Sequence, residues 1–362
     1  MSITLPTPTG PSPVGVTEWH LTDPTRTDPW TGGPREVLAQ IWYPADTTAG
    51  GEPAPWMPPG GHAEQEDFLT QLGVEAGTWS LAAGNSLPDA PAQHGGGGIP
   101  VLLNSPGMGD ATGWSTAQAE DLASHGYAVV ALNHTHEAFS VRFPDGRTAE
   151  TRVPLDSPRE VLRDLLLPTR VADIRFVLDE LTTAAAGEQP AAALPAGLAE
   201  NLDLSRVAMF GHSLGGSTTI GALHADPRIR AGVNLDGPVL GPAAEDGLAQ
   251  PLLMLAGEFS PWFGRPGWEP YWPAGTGIKV PLRVLGTEHM SFCDQQLILA
   301  RLAEAGLLPG EIKQKVVGGI DADRSIALQR SLLRSWFDTV FARGDLATAI
   351  TGLAQPEVVP YS

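Results

Sequence analysis

The sequence predicts an α/β protein: a mostly parallel central sheet flanked by helices, with a loop-rich N-terminal decoration. Two observations carry this. From Ile99 onward short apolar runs alternate with longer stretches at helical spacing, the pattern of parallel strands joined by crossover helices. In "VAMFGHSLGGSTT", residues 207–219, a serine sits between glycines where an apolar run passes into a helix-like one.

Along the chain, strand-like runs at Val14 to Leu21 and Glu36 to Tyr43 open a region rich in Pro, Gly and Trp. Residues 45–98 read as loop, with a short helix over Gln65 to Leu72 and a flexible "HGGGG" connection. That glycine run lacks a following GK[ST] and a preceding strand, so it is not a phosphate-binding loop. The strand "IPVLLNS", a helix over Ser115 to His125 and the strand "YAVVALNH" follow. A long helix over Arg159 to Leu181 places Leu165, Val171, Ile174, Leu178 and Leu181 on one face, with Pro168 as a kink or break. Further strands are expected at Arg206 to Phe210, Ala231 to Leu235, Leu252 to Ala256 and Val280 to Leu285, and a closing helix over Arg324 to Phe341. With no repeat and no sharp boundary, residues 1–362 read as one domain: residues 1–98 as the decoration, 99–343 as the core and 344–362 as a tail.

Composition narrows the function. The 362 residues carry 22 Lys and Arg against 41 Asp and Glu, a formal charge of -19, which argues against nucleic acid as a partner because phosphate binding needs a positive surface. No apolar run is long enough to span a bilayer, so stable membrane insertion is not expected. The N-terminal stretch has neither the charged start nor the apolar centre of a secretion signal, and a cytoplasmic location is expected. Cys293 is the sole cysteine, which excludes an internal disulfide.

The serine motif, Gly211-His212-Ser213-Leu214-Gly215, is G-x-S-x-G with a strand before and a helix after. The glycines permit a tight turn that exposes the Ser213 hydroxyl, and the helix start favours negative charge beside it. A hydroxyl nucleophile needs a histidine base oriented by a carboxylate. Downstream of Ser213 the histidines are His224, inside the following helix, and His289, after the last strand, which is the better base. For the acid, Asp236 and Glu258 each end a strand, and spacing leaves them level.

Several segments resemble one family. "QIWYPA", "VLLNSPGMG", "DLASHGYAVVALNHT", "GHSLGG", "AGVNLDG" and "GTEHMSFCD" are similar to segments of the plasma-type (group VII) platelet-activating factor acetylhydrolases and related bacterial lipases and esterases. The resemblance runs over residues 33–341, weakest over 50–98, and implies an α/β-hydrolase fold and a serine esterase without cofactor or metal. It also implies Asp236 as the acid, giving Ser213, Asp236 and His289 as the triad, with backbone N–H groups of Met108 and Leu214 as the oxyanion hole. Where relatives often carry histidine in "SHG", this chain has Pro106.

The expected activity is hydrolysis of a small or medium carboxylic ester, a small-molecule substrate. Acyl transfer, lactone processing and ligand binding without turnover are the alternatives. His134, His136 and Glu137 lack the further ligands a metal needs, and the two histidines fit pocket lining better. The aromatic loop over residues 261–275, with Trp262, Phe263, Trp268, Tyr271 and Trp272, reads either as a substrate-selecting wall or as an anchor for a long loop. Cys293 reads as core.

Overall fold

The computed structural model describes residues 1–46, 51–94, 97–188, 194–260, 268, 271, 274–346, 349–350 and 353–361. The expected glycine connection falls partly outside them, as does most of the aromatic loop.

In chain order the strands are β1 (Ser2–Ile3), β2 (Val14–Thr27), β3 (Pro34–Pro44), β4 (Ser80–Leu81), β5 (Ser86–Pro88), β6 (Ile99–Ser105) and β7 (Ala128–Asn133). They continue with β8 (Ser140–Arg142), β9 (Thr148–Glu150), β10 (Leu202–His212), β11 (Ile229–Leu235), β12 (Leu252–Gly257), β13 (Lys279–Val284) and β14 (Val358–Pro360). Ten of them form one sheet in the order β14-β13-β12-β11-β10-β6-β7-β3-β2-β5. The run from β13 to β7 is parallel throughout, whereas β3 joins β7, β2 joins β3 and β14 joins β13 antiparallel. Of the N-terminal strands, β2, β3 and β5 thus extend the same sheet, while β1 and β4 pair with each other.

Both faces of this sheet are covered, and its central strands read as continuous apolar runs for that reason. In β6, Val101 and Leu103 enter one core and Leu102 the other; Val207 and Met209 of β10 divide from Ala208 and Phe210 in the same way. One layer is closed by Ile174, Val177, Leu178 and Leu181 of helix Leu167–Ala185 with Ile220 and Leu223 of helix Leu214–Ala225. The other is closed by Leu122 of helix Thr116–Ser124 and by Leu332, Trp336 and Phe337 of helix Ala322–Phe341.

Several elements differ from expectation for local reasons. Strand β2 runs on to Thr27 despite Pro24, because the register shifts between Asp23 and Thr27 and a bulge needs no N–H from proline. The helix expected over Gln65 to Leu72 spans Pro59–Gln71. The long helix does not break at Pro168: Arg159–Val161 leads through a wide π turn, Leu162–Leu166, into Leu167–Ala185. That wide turn lies where the proline ring would meet the carbonyl four residues back, and it turns Leu165 out to 37% exposure, off the expected apolar face.

Candidate active site

Because β6, β10, β11, β12 and β13 point the same way, the residues that follow them gather along one edge of the sheet. Ser213 follows β10, Asp236 follows β11, Glu258 follows β12, His289 follows β13 and Met108 follows β6.

The turn at Ser213 is as tight as its glycines suggest. Ser213 has φ 56°, and its N–H is fixed to the carbonyl of Leu235 at 2.9 Å. A Cβ on Gly215 would lie 1.8 Å from the Ser105 oxygen, and one on Gly211 would lie 2.3 Å from the Gly215 oxygen. Positive φ at a serine costs about 1–3 kcal/mol, so the surrounding bonds must hold it.

The structure brings three predicted residues together. Ser213 Oγ lies 3.0 Å from His289 Nε2, and His289 Nδ1 lies 2.5 Å from Asp236 Oδ2. Asp236, fully buried and itself at φ 54°, receives the Gly257 N–H on Oδ1 at 3.1 Å and donates its own N–H to the Leu255 carbonyl. Its geometry separates the two candidate acids: Glu258 is bound to the Gly286 N–H at 2.6 Å, tying the ends of β12 and β13 together. His224 pairs with Asp246 at the surface. His289 starts a single 3₁₀ turn, His289–Phe292, closed by reciprocal Glu288 and Ser291 bonds.

Leu214 opens helix Leu214–Ala225, so its N–H lies in the first turn, where no intrahelical acceptor exists. In the loop after β6, the N–H of Met108 has no hydrogen-bond acceptor among the described residues. A Cβ on Gly107 would come within 2.3 Å of Asp110 Oδ2, so a larger residue there would have to displace the Asp110 side chain.

The family profile described as "Platelet-activating factor acetylhydrolase, isoform II" matches residues 1–333. The chain belongs to this family. It is a carboxylic ester hydrolase with an α/β-hydrolase fold. It is 28% identical to a probable 1-alkyl-2-acetylglycerophosphocholine esterase of Arthroderma benhamiae, over 99% of this chain and 94% of that protein. It is 24% identical to a platelet-activating factor acetylhydrolase of Gallus gallus, over 80% and 74%. The solved ferulic acid esterase of Streptomyces cinnamoneus superposes with a TM-score of 0.79 at 30% identity, covering 99% of both chains.

Beneath the edge of this esterase lies a buried charged layer that motif reading did not find. Asp173, on helix Leu167–Ala185, binds Arg35 through both carboxylate oxygens and takes His134 Nδ1 at 3.0 Å; His134 Nε2 meets Ser105 Oγ at 2.9 Å. Burial, reinforced by the Arg170 charge, depresses the His134 pKa and keeps the ring neutral, whereas Arg35 and His134 hold the Asp173 carboxyl well below the usual range against the opposing cost of burial. These residue types repeat those at Ser213, yet all three are buried and no substrate reaches Ser105. His134 therefore supports the sheet edge rather than lining a pocket, and Glu137 is engaged by Arg170. His136 Nδ1 meets the Glu150 carbonyl at 3.2 Å. Among the described residues no group of three His, Cys, Asp or Glu side chains is placed to hold a metal.

A cavity of about 240 Å³ opens beside Met108 and Met290. Phe68, Trp114, Phe139 and Leu155 give it apolar walls, and Glu64, Asp67 and Asp110 add carboxyl groups. Burial first, then the Asp110 charge, raises the Glu64 pKa well above the ordinary carboxyl value. Of the aromatic loop, Trp262, Phe263 and Trp272 lie outside the described residues. Trp268 and Tyr271 are buried in the core, and Trp268 Nε1 donates to the Gly237 carbonyl at 2.9 Å, which is the anchoring alternative for those two rings. Cys293 is buried, with burial pushing its thiol pKa up. No helix among the described residues is long and apolar enough to cross a membrane.

Proposed function

We propose that this esterase works through an acyl-enzyme on Ser213, with His289 as base and acid and Asp236 as its orienting carboxylate. The observation that carries the reading is the unbroken Ser213–His289–Asp236 chain of hydrogen bonds, 3.0 and 2.5 Å long. An ionised carboxylate only accepts, so His289 Nδ1–H donates to Asp236 and leaves Nε2 with a lone pair facing the serine hydroxyl. Ser213 Oγ attacks the ester carbonyl as its proton passes to Nε2, and the carbonyl oxygen becomes an oxyanion between the Met108 and Leu214 N–H groups. Collapse expels the alcohol, which takes the proton from Nε2. A water molecule then repeats the sequence on the acyl-enzyme, releasing the acid and restoring Ser213.

The substrate in this reading is a small or medium ester. The apolar, partly aromatic cavity beside Met108 suits a medium-length or aromatic acyl group, in keeping with the ferulic acid esterase whose fold the chain shares. Strands β2, β3 and β5 of residues 1–98 belong to the same sheet as the core strands, which supports reading residues 1–362 as one domain.

Hydrolysis of p-nitrophenyl esters from acetate to long chains, with a feruloyl ester beside them and Ser213→Ala in parallel, tests this. Losing the nucleophile of a serine hydrolase costs on the order of 10⁶ in rate. Equal turnover by the variant would reject Ser213, and a flat chain-length profile would reject the cavity as the acyl site.

A further inference from the structure

Arg170 is a fully buried guanidinium in helix Leu167–Ala185, directly under the loop that carries Met108. All five of its N–H groups are used. Nε bonds both oxygens of Glu137 at 2.8 Å, and Nη2 bonds Glu137 Oε1 as well. Nη1 donates to the Pro106 carbonyl at 2.6 Å and to Ser105 Oγ at 3.2 Å, while Nη2 donates to the Gly107 carbonyl at 2.8 Å.

The last of these bonds reaches the proposed oxyanion hole. The Gly107 carbonyl and the Met108 N–H belong to one planar trans peptide, so fixing the oxygen on one side fixes the N–H pointing to the other. The Asp110 N–H reaches the same oxygen only at 3.3 Å, a longer and uncharged bond. A charge-assisted bond to the carbonyl also polarises the peptide and strengthens its N–H as a donor.

We infer that Arg170, held by Glu137, is the positioning residue that aims the Met108 N–H at the developing oxyanion. This rests on the reading of Ser213 and Met108 given above. Glycine at 107 leaves the peptide free to rotate, and the guanidinium fork removes that freedom by gripping two successive carbonyls. Lysine offers a compact ammonium on a flexible stem and lacks the rigid planar fork that fixes both carbonyls at once.

The test compares Arg170→Lys, the double variant Arg170→Met/Glu137→Leu, which leaves neither partner charged, and Glu137→Gln. Each is assayed with p-nitrophenyl acetate and with an aryl trifluoromethyl ketone, which forms a hemiketal oxyanion on the serine. Loss of an oxyanion donor costs about 10²–10³ in rate, so a misaimed one is expected to lower kcat about 10- to 100-fold in the first two variants. KM should stay within about twofold, and the ketone Ki should rise in step with the loss in kcat/KM. Lysine should not rescue, whereas a role in charge balance alone would let it do so. Glu137→Gln, nearly isosteric and still an acceptor, should give a smaller loss of the same kind in an intact fold. A thermal midpoint that falls while kcat and Ki hold, or an unchanged Ki in Glu137→Gln, would overturn the inference. Ser213→Ala separates the two readings: if it remains active the site itself is wrong, and if it is dead while the Arg170 variants keep parental kinetics only the role of Arg170 fails.

Discussion

The ring of His212 lies against that of His289, centroids 4.7 Å apart, and its Nε2–H donates to the backbone carbonyl of His289 at 2.9 Å. The residue before the nucleophile therefore holds the residue proposed as base. Two elements that meet only in the folded sheet, the end of β10 and the 3₁₀ turn after β13, are tied at one point. His212→Ala removes both the packing and the bond and should lower kcat on p-nitrophenyl acetate about tenfold through looser placement of His289. His212→Gln keeps a side-chain N–H of similar reach and should recover most of that loss. Equal rates for the alanine variant and the parent would show that the turn holds His289 unaided.

Asp236 and Glu258 make a paired prediction. Asp236→Asn leaves the shape intact but offers His289 Nδ1 an amide in place of a carboxylate, favouring the wrong ring tautomer. The rate should fall by about 10³–10⁴ with little change in KM. Glu258→Gln removes a charge from the bond to the Gly286 N–H and touches neither His289 nor Ser213, so kcat should stay within about threefold while the thermal midpoint falls slightly. The opposite pattern of rates would assign the acid to Glu258.

The contrast shows what the sequence could and could not reveal. Ser213 is legible because the steric demands of its turn are written as glycines at 211 and 215, and His289 because few histidines follow it. By spacing Asp236 and Glu258 are indistinguishable, each being an acid at a strand end, and only the resemblance of "AGVNLDG" to the family favours Asp236. What separates them is backbone: Asp236 is turned into the sheet edge at φ 54°, whereas Glu258 is drawn off by Gly286. Arg170 and Glu137 left no signal, since they are 33 residues apart and an arginine in an amphipathic helix ordinarily reads as solvated. Leu165 failed in the other direction: Pro168 marked an irregularity, but not that it would be a π turn that shifts the helical period.

Charge in the cavity beside Met108 should govern which acyl groups enter. Burial raises the Glu64 pKa there, and beside it Asp110 and Asp67 carry acid side chains that no arginine or lysine among the described residues pairs with. An acyl chain ending in a carboxylate about 6 Å from Asp110 would meet a repulsion of roughly 2–3 kcal/mol at an effective dielectric of ~20, less where water screens it. The hemisuccinate ester of p-nitrophenol should therefore be hydrolysed more than tenfold less efficiently than the butyrate. Asp110→Asn should raise kcat/KM for the hemisuccinate by about tenfold and leave the butyrate within about threefold. An unchanged ratio would place the acyl chain outside this cavity.

Asp294 predicts how stability follows pH. Its fully buried carboxyl accepts Trp56 Nε1 at 2.7 Å and lies 3.2 Å from the Ala117 N–H, but burial dominates and lifts its pKa to about 8. In the unfolded chain an aspartate titrates near ~4, so between about pH 4 and pH 8 the folded protein holds a proton that the unfolded chain has released. Unfolding then releases a proton across this window, and stability must fall as pH rises through it, levelling off above about 8. Asp294→Asn cannot ionise and can still accept from Trp56, so it should remove this slope. Urea unfolding at pH 5 and pH 8 measures the effect: the parent should lose more stability than the variant between the two, and the variant should be the more stable at pH 8. Parallel profiles would mean that Asp294 is already ionised in the folded protein at pH 5.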